Sequence, residues 1–269
     1  SLEDPNPLVA GQGFARLRAA GVAVEVGPGA AESRELNIGF FSRMLRGTPW
    51  VRLKVASSLD GTTALTNGAS QWITSPDARA DGHAWRARAC AVLTGIGTVL
   101  ADNPRLDVRE VQTPRQPKAV VLDSRLQTPA DAHLFVADRA CLIYATGPLD
   151  PIFSARKTAL EARGATVLQL PGPAGQVDLH GVLRDLALRG VNELHVEAGH
   201  RLNGALLRQG LVDELLLYLA PRMLGPGRGM ADLAPLESLA DGLALEFHST
   251  QMIGPDLRVL ARFQRPPWF

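Results

Sequence analysis

Between Trp50 and Ala220 short apolar runs alternate with amphipathic helical stretches, and that alternation leaves few folds open to the chain. Val51–Ala56 alternates as a strand. Ser75 and Pro76 supply an N-cap and a first-turn proline, so a helix starts there and runs to about Arg88. Ala91–Thr94, Ala119–Asp123 and Cys141–Ala145 read as buried strands, residues 154–163 as a helix, Thr166–Leu170 as a strand and 179–189 as a helix. A strand ending at Glu197, a helix over 202–209 and a long strand Glu214–Ala220 follow. Then the pattern changes: Leu243–Thr250 and Leu257–Phe263 are extended runs joined by the turn signal Ile253-Gly-Pro-Asp256. The predicted fold class is α/β, a mostly parallel sheet flanked by helices with a C-terminal antiparallel hairpin. The hairpin leaves a sheet edge that proteins usually cover or pair, so a homodimer is expected.

The front of the chain is less patterned. Gly11–Gly21 reads as a helix, Val22–Val26 as a short strand and Ala31–Arg46 as a second helix with Leu36, Phe40 and Met44 on one face, broken by Gly47-Thr-Pro49. These pieces are too short to close a core and are expected to pack on the rest. The chain opens on Ser1, and residues 1–48 are expected to be the tail of something larger.

Several function classes drop out early. A net charge of +1 gives no general grip on nucleic acid or an acidic membrane, and no run approaches the ~18 apolar residues of a membrane span. Cys90 and Cys141 are far apart and read as free thiols in a reducing, cytoplasmic setting. The six histidines have no metal-ligand spacing, so no metal is expected. There is no Gly-x-Ser-x-Gly elbow and no Walker loop.

In an open α/β sheet, ligands bind beyond the carboxyl ends of the strands. Lys54 and Ser57–Gly61 follow the first strand, Gly95–Thr98 and Asp102 the next, Asp123-Ser124 another, and Glu197-Ala-Gly199 the strand before helix 202–209. That last junction, strand, glycine, helix, suits helix N-terminal amides facing a phosphate with an acid beside them. Taken singly, each feature has an ordinary reading. Glu197 could stabilise a helix dipole, Asp102 could form a turn, and Lys54 could be a solvated strand residue. Arg86, Arg88 and Arg109 could be surface charges, and Leu224–Gly229 a flexible connection.

Five motifs in order give these residues a common meaning. Lys54-Val-Ala-Ser-Ser-Leu-Asp-Gly61, Ser70-Gln-Trp-Ile-Thr74, Leu93–Pro104, Val121-Leu-Asp-Ser124 and Val196-Glu-Ala-Gly199 resemble the reductase domain of the bifunctional riboflavin-biosynthesis deaminase/reductase over about residues 48–264. Residues 4–46 are similar to the end of that family's deaminase domain, but its His-x-Glu and Pro-Cys zinc motifs are not present. The resemblance implies a remnant of a cytidine-deaminase-like domain over 1–48 and a reductase domain over 49–269. The zinc-bearing part would have been removed or would lie on another chain.

The resemblance further implies a dihydrofolate-reductase-like fold and NADPH-dependent reduction of 5-amino-6-(5-phosphoribosylamino)uracil to its ribitylamino product. Ala56, Trp72, Thr98, Asp102 and Ser124 would line the NADPH site. Gly199, His200, Arg201, Leu202, Asn203, Gly204 and Ala205 would hold its pyrophosphate. Ser70, Arg86, Leu106, Arg109 and Glu197 would hold the phosphorylated pyrimidine, the arginines matching its phosphate. Lys54, Asp102 and Glu197 would be catalytic, with Lys54 and Asp102 handling protons near C1′ and the ring oxygen. Two other readings stay open: a reductase of the undeaminated diaminopyrimidine, and a non-catalytic NADPH- or nucleotide-binding module.

Overall fold

The computed structural model describes residues 2–148 and 150–264. Ser1 and residues 265–269, assigned above to the two ends of the chain, lie outside the described residues. Eight helices and eleven strands build the described part. The helices are α1 (Gln12–Ala19), α2 (Ala30–Leu36), α3 (Ile38–Arg46), α4 (Pro76–Arg88), α5 (Ile96–Asp102), α6 (Pro151–Glu161), α7 (Leu179–Leu188) and α8 (His200–Arg208). The strands are β1 (Trp50–Ser58), β2 (Ala64–Leu65), β3 (Ala91–Gly95), β4 (Lys118–Leu122), β5 (Cys141–Ala145), β6 (Ala165–Gln169), β7 (Glu193–Val196), β8 (Glu214–Ala220), β9 (Gly227–Arg228), β10 (Leu245–Ile253) and β11 (Asp256–Phe263).

Nine strands form one sheet in the order β10-β11-β8-β1-β7-β3-β4-β5-β6. From β8 to β6 all neighbours are parallel; β11 runs antiparallel to β8 and to β10. The hairpin therefore closes one edge, as the sequence pattern implies. Its outer strand β10 is exposed along its length, with Phe247 and Met252 facing solvent. The chain goes from β1 to β3, builds outward to β6, then returns to insert β7 between β1 and β3. That reversal is a switch point, where a crevice opens beyond the strand ends.

Burial follows the two-residue period of the strands. Val51, Leu53, Val55, Leu194 and Val196 face α7 and α8, packing with Val182, Leu186 and Leu206. On the opposite side Val121 and Ile143 pack with Val99, Phe153 and Leu160 of α5 and α6. Toward the hairpin, Leu216, Tyr218 and Leu260 pack with Ala78 and Trp85 of α4.

Under α4 the alternation produces charge instead of grease. Arg52, 1% exposed, donates to Glu214 at 2.5 Å and to Glu193 at 2.9 Å, and its guanidinium lies 4.4 Å from the Trp85 ring centroid. Arg262 joins Glu214 (3.0 Å) to Glu35 (2.6 Å), and Arg88 joins Glu193 (2.8 Å). The result is a ladder of ion pairs from α2 through β11, β8, β1 and β7 to α4. Each buried carboxylate in it has two guanidinium partners, which offsets the desolvation that a single buried pair suffers.

Most expected elements occur within a few residues. Ser75 caps α4 through the Ala78 amide with Pro76 at the first position. The front differs. Residues 22–26 form no strand: Val22 and Val26 are exposed, and no strand among the described residues pairs with them. The expected helix 31–46 is two helices, broken at Asn37, whose side chain bonds the Ser33 carbonyl and competes with the backbone. Gly95, expected just past its strand, is the last residue of β3 and the N-cap of α5, which starts at Ile96. Lys54 lies inside β1, which continues to Ser58.

Candidate active site

Leu53 pairs in register with Val196, so Lys54 and Glu197 come next along adjacent parallel strands, on the side covered by α4. Arg86 of α4 grips Glu197 with both branches of its fork: Nε donates to Oε1, and Nη2 donates to Oε2 at 2.8 Å. Burial alone would raise the Glu197 carboxyl. The charge and hydrogen bonds of Arg86, with His195 and Lys54, outweigh it and hold Glu197 well below the ordinary carboxylate range. Lys54 is moved the other way. Burial lowers its ammonium below the usual lysine value, Glu197 partly restores it, and Arg86 lowers it again. The Lys54 ammonium also lies 5.8 Å from the Tyr218 ring centroid. An anionic carboxylate and a lysine whose ammonium lies below its usual value thus stand side by side at the switch point.

Arg86 has further work inside the protein, since its Nη1 donates to the Asp107 carbonyl at 3.0 Å. The buried Asp107 carboxylate pairs with Arg105 and Arg109, which orders the 105–109 segment. Arg109 itself is exposed, its side chain to 44%. Leu106 is buried in a left-handed conformation at φ 55°. His83 ties the segment to α4: its Nδ1 accepts the Arg109 amide at 3.1 Å, and Arg86 Nη1 lies 3.4 Å from its Nε2. Burial and then the charges of Arg86 and Arg109 push His83 down to about 4, so the ring is neutral at pH 7.

On the other side of the crevice two helix starts abut. A Cβ on Gly95, the N-cap of α5, would lie 3.2 Å from Leu202, and one on Gly199, the N-cap of α8, 3.9 Å from Thr98 Oγ1. The amides of Leu202 and Asn203 fold back onto the Gly199 carbonyl. Those of His200 and Arg201 take no backbone acceptor among the described residues and remain for an anion. Asn203 and Gly204 face the other way. Asn203 donates to the Met230 carbonyl at 2.8 Å, and a Cβ on Gly204 would collide with the Asp232 carbonyl oxygen. They hold residues 230–232 against α8, while Leu202 and Ala205 pack toward the core.

The remaining sequence-predicted residues sit around this centre. Ala56 is partly buried beside Tyr218. Ser70 is half-buried in the loop before α4, and Trp72 is 64% exposed with the Arg79 guanidinium 4.6 Å from its ring centroid. Thr98 lies in the first turn of α5; Asp102 ends that helix, exposed, with no side-chain bond among the described residues. Ser124 is half-buried after β4, its carbonyl accepting the Thr146 and Gly147 amides. The 224–229 loop, read as a free connection, is pinned: Asp60 accepts the Gly225 amide at 2.7 Å, and β9 pairs with β2.

Sequence reasoning missed His83, Asp107 and His195. A signal existed for His195, because Glu193, His195 and Glu197 alternate along one strand and must share its face. Among the described residues no group of three or more His, Cys, Asp or Glu side chains is placed to hold a metal.

The family model described as RibD C-terminal domain matches residues 49–259. The riboflavin biosynthesis protein RibD of Escherichia coli is 40% identical over 262 residues, covering 96% of this chain and 71% of that protein. RibD of Aquifex aeolicus is 35% identical over 254 residues, covering 94% of this chain and 69% of that protein. Among solved structures, Acinetobacter baumannii RibD superposes with a TM-score of 0.86 at 35% identity, over 98% of this chain and 71% of that one. A Thermotoga maritima diaminohydroxyphosphoribosylaminopyrimidine deaminase/5-amino-6-(5-phosphoribosylamino)uracil reductase superposes at 0.81 with 25% identity, over 98% of this chain and 70% of that one. The chain therefore belongs to the RibD family of riboflavin biosynthesis and carries its C-terminal, dihydrofolate-reductase-like domain.

Proposed function

We propose that the chain reduces 5-amino-6-(5-phosphoribosylamino)uracil to 5-amino-6-(5-phosphoribitylamino)uracil with NADPH, as the reductase of riboflavin biosynthesis. The observation that supports this most is the pairing of Lys54 and Glu197 at the strand switch point, one strand end away from the free amides of α8. The two adjoining helix starts suit a dinucleotide pyrophosphate, held by the His200 and Arg201 amides beside Gly199 and Thr98. Ala56, Trp72, Asp102 and Ser124 complete the cofactor rim in this reading.

When bound, the nicotinamide supplies the hydride that C1′ of the ribose accepts. The chain's own groups do the rest. Arg109 takes the phosphate, helped by the segment that Asp107 and His83 order. Ser70 and Leu106 flank the substrate. Glu197, held anionic by Arg86, accepts a hydrogen bond from it. Lys54 delivers the proton that the ring oxygen needs as its bond to C1′ opens, and its lowered pKa eases that release. Asp102 assists on the solvent side. Arg86, drawn from the sequence as a phosphate ligand, acts through Glu197 instead.

Residues 1–48 form the end of a deaminase domain in this reading, and 49–269 the reductase. The protein works in the cytoplasm as a homodimer that pairs along β10; a monomer by light scattering at micromolar concentration contradicts the dimer. The main test is NADPH oxidation by purified, folded protein. Turnover is expected with the deaminated pyrimidine and strongly reduced in Glu197→Gln. No turnover, or preference for the undeaminated diaminopyrimidine, overturns the substrate assignment.

A further inference from the structure

His195 is fully buried in the middle of the sheet, yet neither ring nitrogen makes a well-aligned hydrogen bond within the protein. Such an orphan is uncommon in a native interior and calls for a reason. The strands around it narrow the choice. Across β1 its register partner is Arg52, and across β3 it is Val92. Along β7 it lies between Glu193 and Glu197, and α4 brings His83, Arg86 and Arg88 over the same face. Lys54 stands next to Glu197 on β1. The nearest acidic oxygen is Glu197 Oε1, 3.3 Å from Nε2.

We propose that His195 is a positioning residue for Glu197: its Nε2–H points at Oε1, so that Oε2 is the oxygen left with a free lone pair for substrate. Oε1 then receives Arg86 Nε and His195, while Oε2 receives only Arg86 Nη2. The ring is neutral, because burial first, and then the charges of Arg52 and Arg86, oppose a proton on both nitrogens. A neutral donor adds a hydrogen bond to the carboxylate without adding a charge that would compete with Lys54. The inference rests on the reading of Glu197 as the substrate contact.

Two measurements test it. Nitrogen-15 NMR of the histidine-labelled protein at neutral pH should show His195 as the neutral Nε2–H tautomer; an Nδ1–H tautomer or an imidazolium overturns the proposal. In kinetics, His195→Leu should lower kcat/KM about tenfold, the effect of one hydrogen bond to a charged group. It should also move the acid limb of the pH profile upward, because Glu197 loses a donor. His195→Gln, which keeps an N–H near the same place, should recover most of the activity and the wild-type limb. A His195→Leu protein that melts earlier but keeps the wild-type profile shows a purely structural role and overturns the proposal. If Glu197→Gln is as active as wild type, the reading of the site has failed, a result that the NMR tautomer distinguishes from failure of the His195 contact.

Discussion

Replacing Arg86 separates two roles that a single arginine could have here. As a phosphate ligand it would contribute to substrate affinity; as the fork on Glu197 it sets the charge of the site. The geometry favours the fork, with both Glu197 oxygens bonded and both side chains only about one-sixth exposed (16% and 15%). Two hydrogen bonds between charged groups are worth roughly 1.5–3 kcal/mol each, and breaking a buried pair from one side costs about 3–5 kcal/mol. At about 1.4 kcal/mol per tenfold, Arg86→Ala should lower kcat/KM at neutral pH by about a hundredfold or more.

The pH profile should change as well. In the native protein Glu197 lies well below the ordinary carboxylate value, so its anion is present above that range and is lost only as pH falls through the depressed value. Without Arg86, burial dominates and the carboxyl pKa rises, so the acid limb of kcat/KM moves toward neutral pH. Arg86→Lys should fall between, since an ammonium restores charge but not the fork. The assay is NADPH oxidation over a pH series, with circular dichroism confirming the fold of each variant. A higher KM for substrate, with kcat and the acid limb unchanged, would refute the reasoning and return Arg86 to the phosphate.

Other outcomes are expected from the same geometry. Gly204→Ala puts a methyl group into the Asp232 carbonyl, so residues 230–232 must move; NADPH titration should show weaker binding, and a melt should show about 1–3 kcal/mol of lost stability, with wild-type values refuting the close approach. Arg52→Met leaves Glu214 with Arg262 and Glu193 with Arg88, so urea unfolding should register a loss of about 3 kcal/mol, and adding Glu214→Leu should recover part of it. The alkaline limb of kcat/KM should lie below the ordinary lysine value of about 10.4, as Lys54 loses its proton early; a limb at or above that value removes Lys54 as the acid. Asp102→Asn should lower kcat with an unchanged melting temperature, and wild-type kinetics would remove Asp102 from the chemistry.

The fold is legible where a cap or a turn accompanies the periodicity. Ser75-Pro76 and Ile253–Asp256 place α4 and the final hairpin because their backbone chemistry is local. It is not legible at Val22–Val26, where alternation is real but no strand among the described residues pairs with it. Within the site, Glu197 and Gly199 follow from a strand, a turn and a helix in sequence. The Arg86 fork does not, because residues 111 positions apart meet only once α4 has docked on β7. The inward turn of Asn203 and Gly204 was equally hidden, since it depends on where residues 230–232 return across α8.

The ion-pair ladder bears on where the reductase begins as a folding unit. The family model starts at residue 49, but contacts from residues 35–46 cross that line. Arg46 donates to both carboxylate oxygens of Asp213, which is 3% exposed. A Cβ on Gly39 would lie 2.5 Å from Glu193 Cγ, so α3 is seated directly on the start of β7. Glu35 terminates the ladder through Arg262. A chain trimmed at residue 49 keeps every strand of the large sheet and every proposed ligand, yet exposes the lower ends of β1, β7 and β8 to water. Residues 30–48 are thus foundation for the reductase, whatever ancestry their sequence carries.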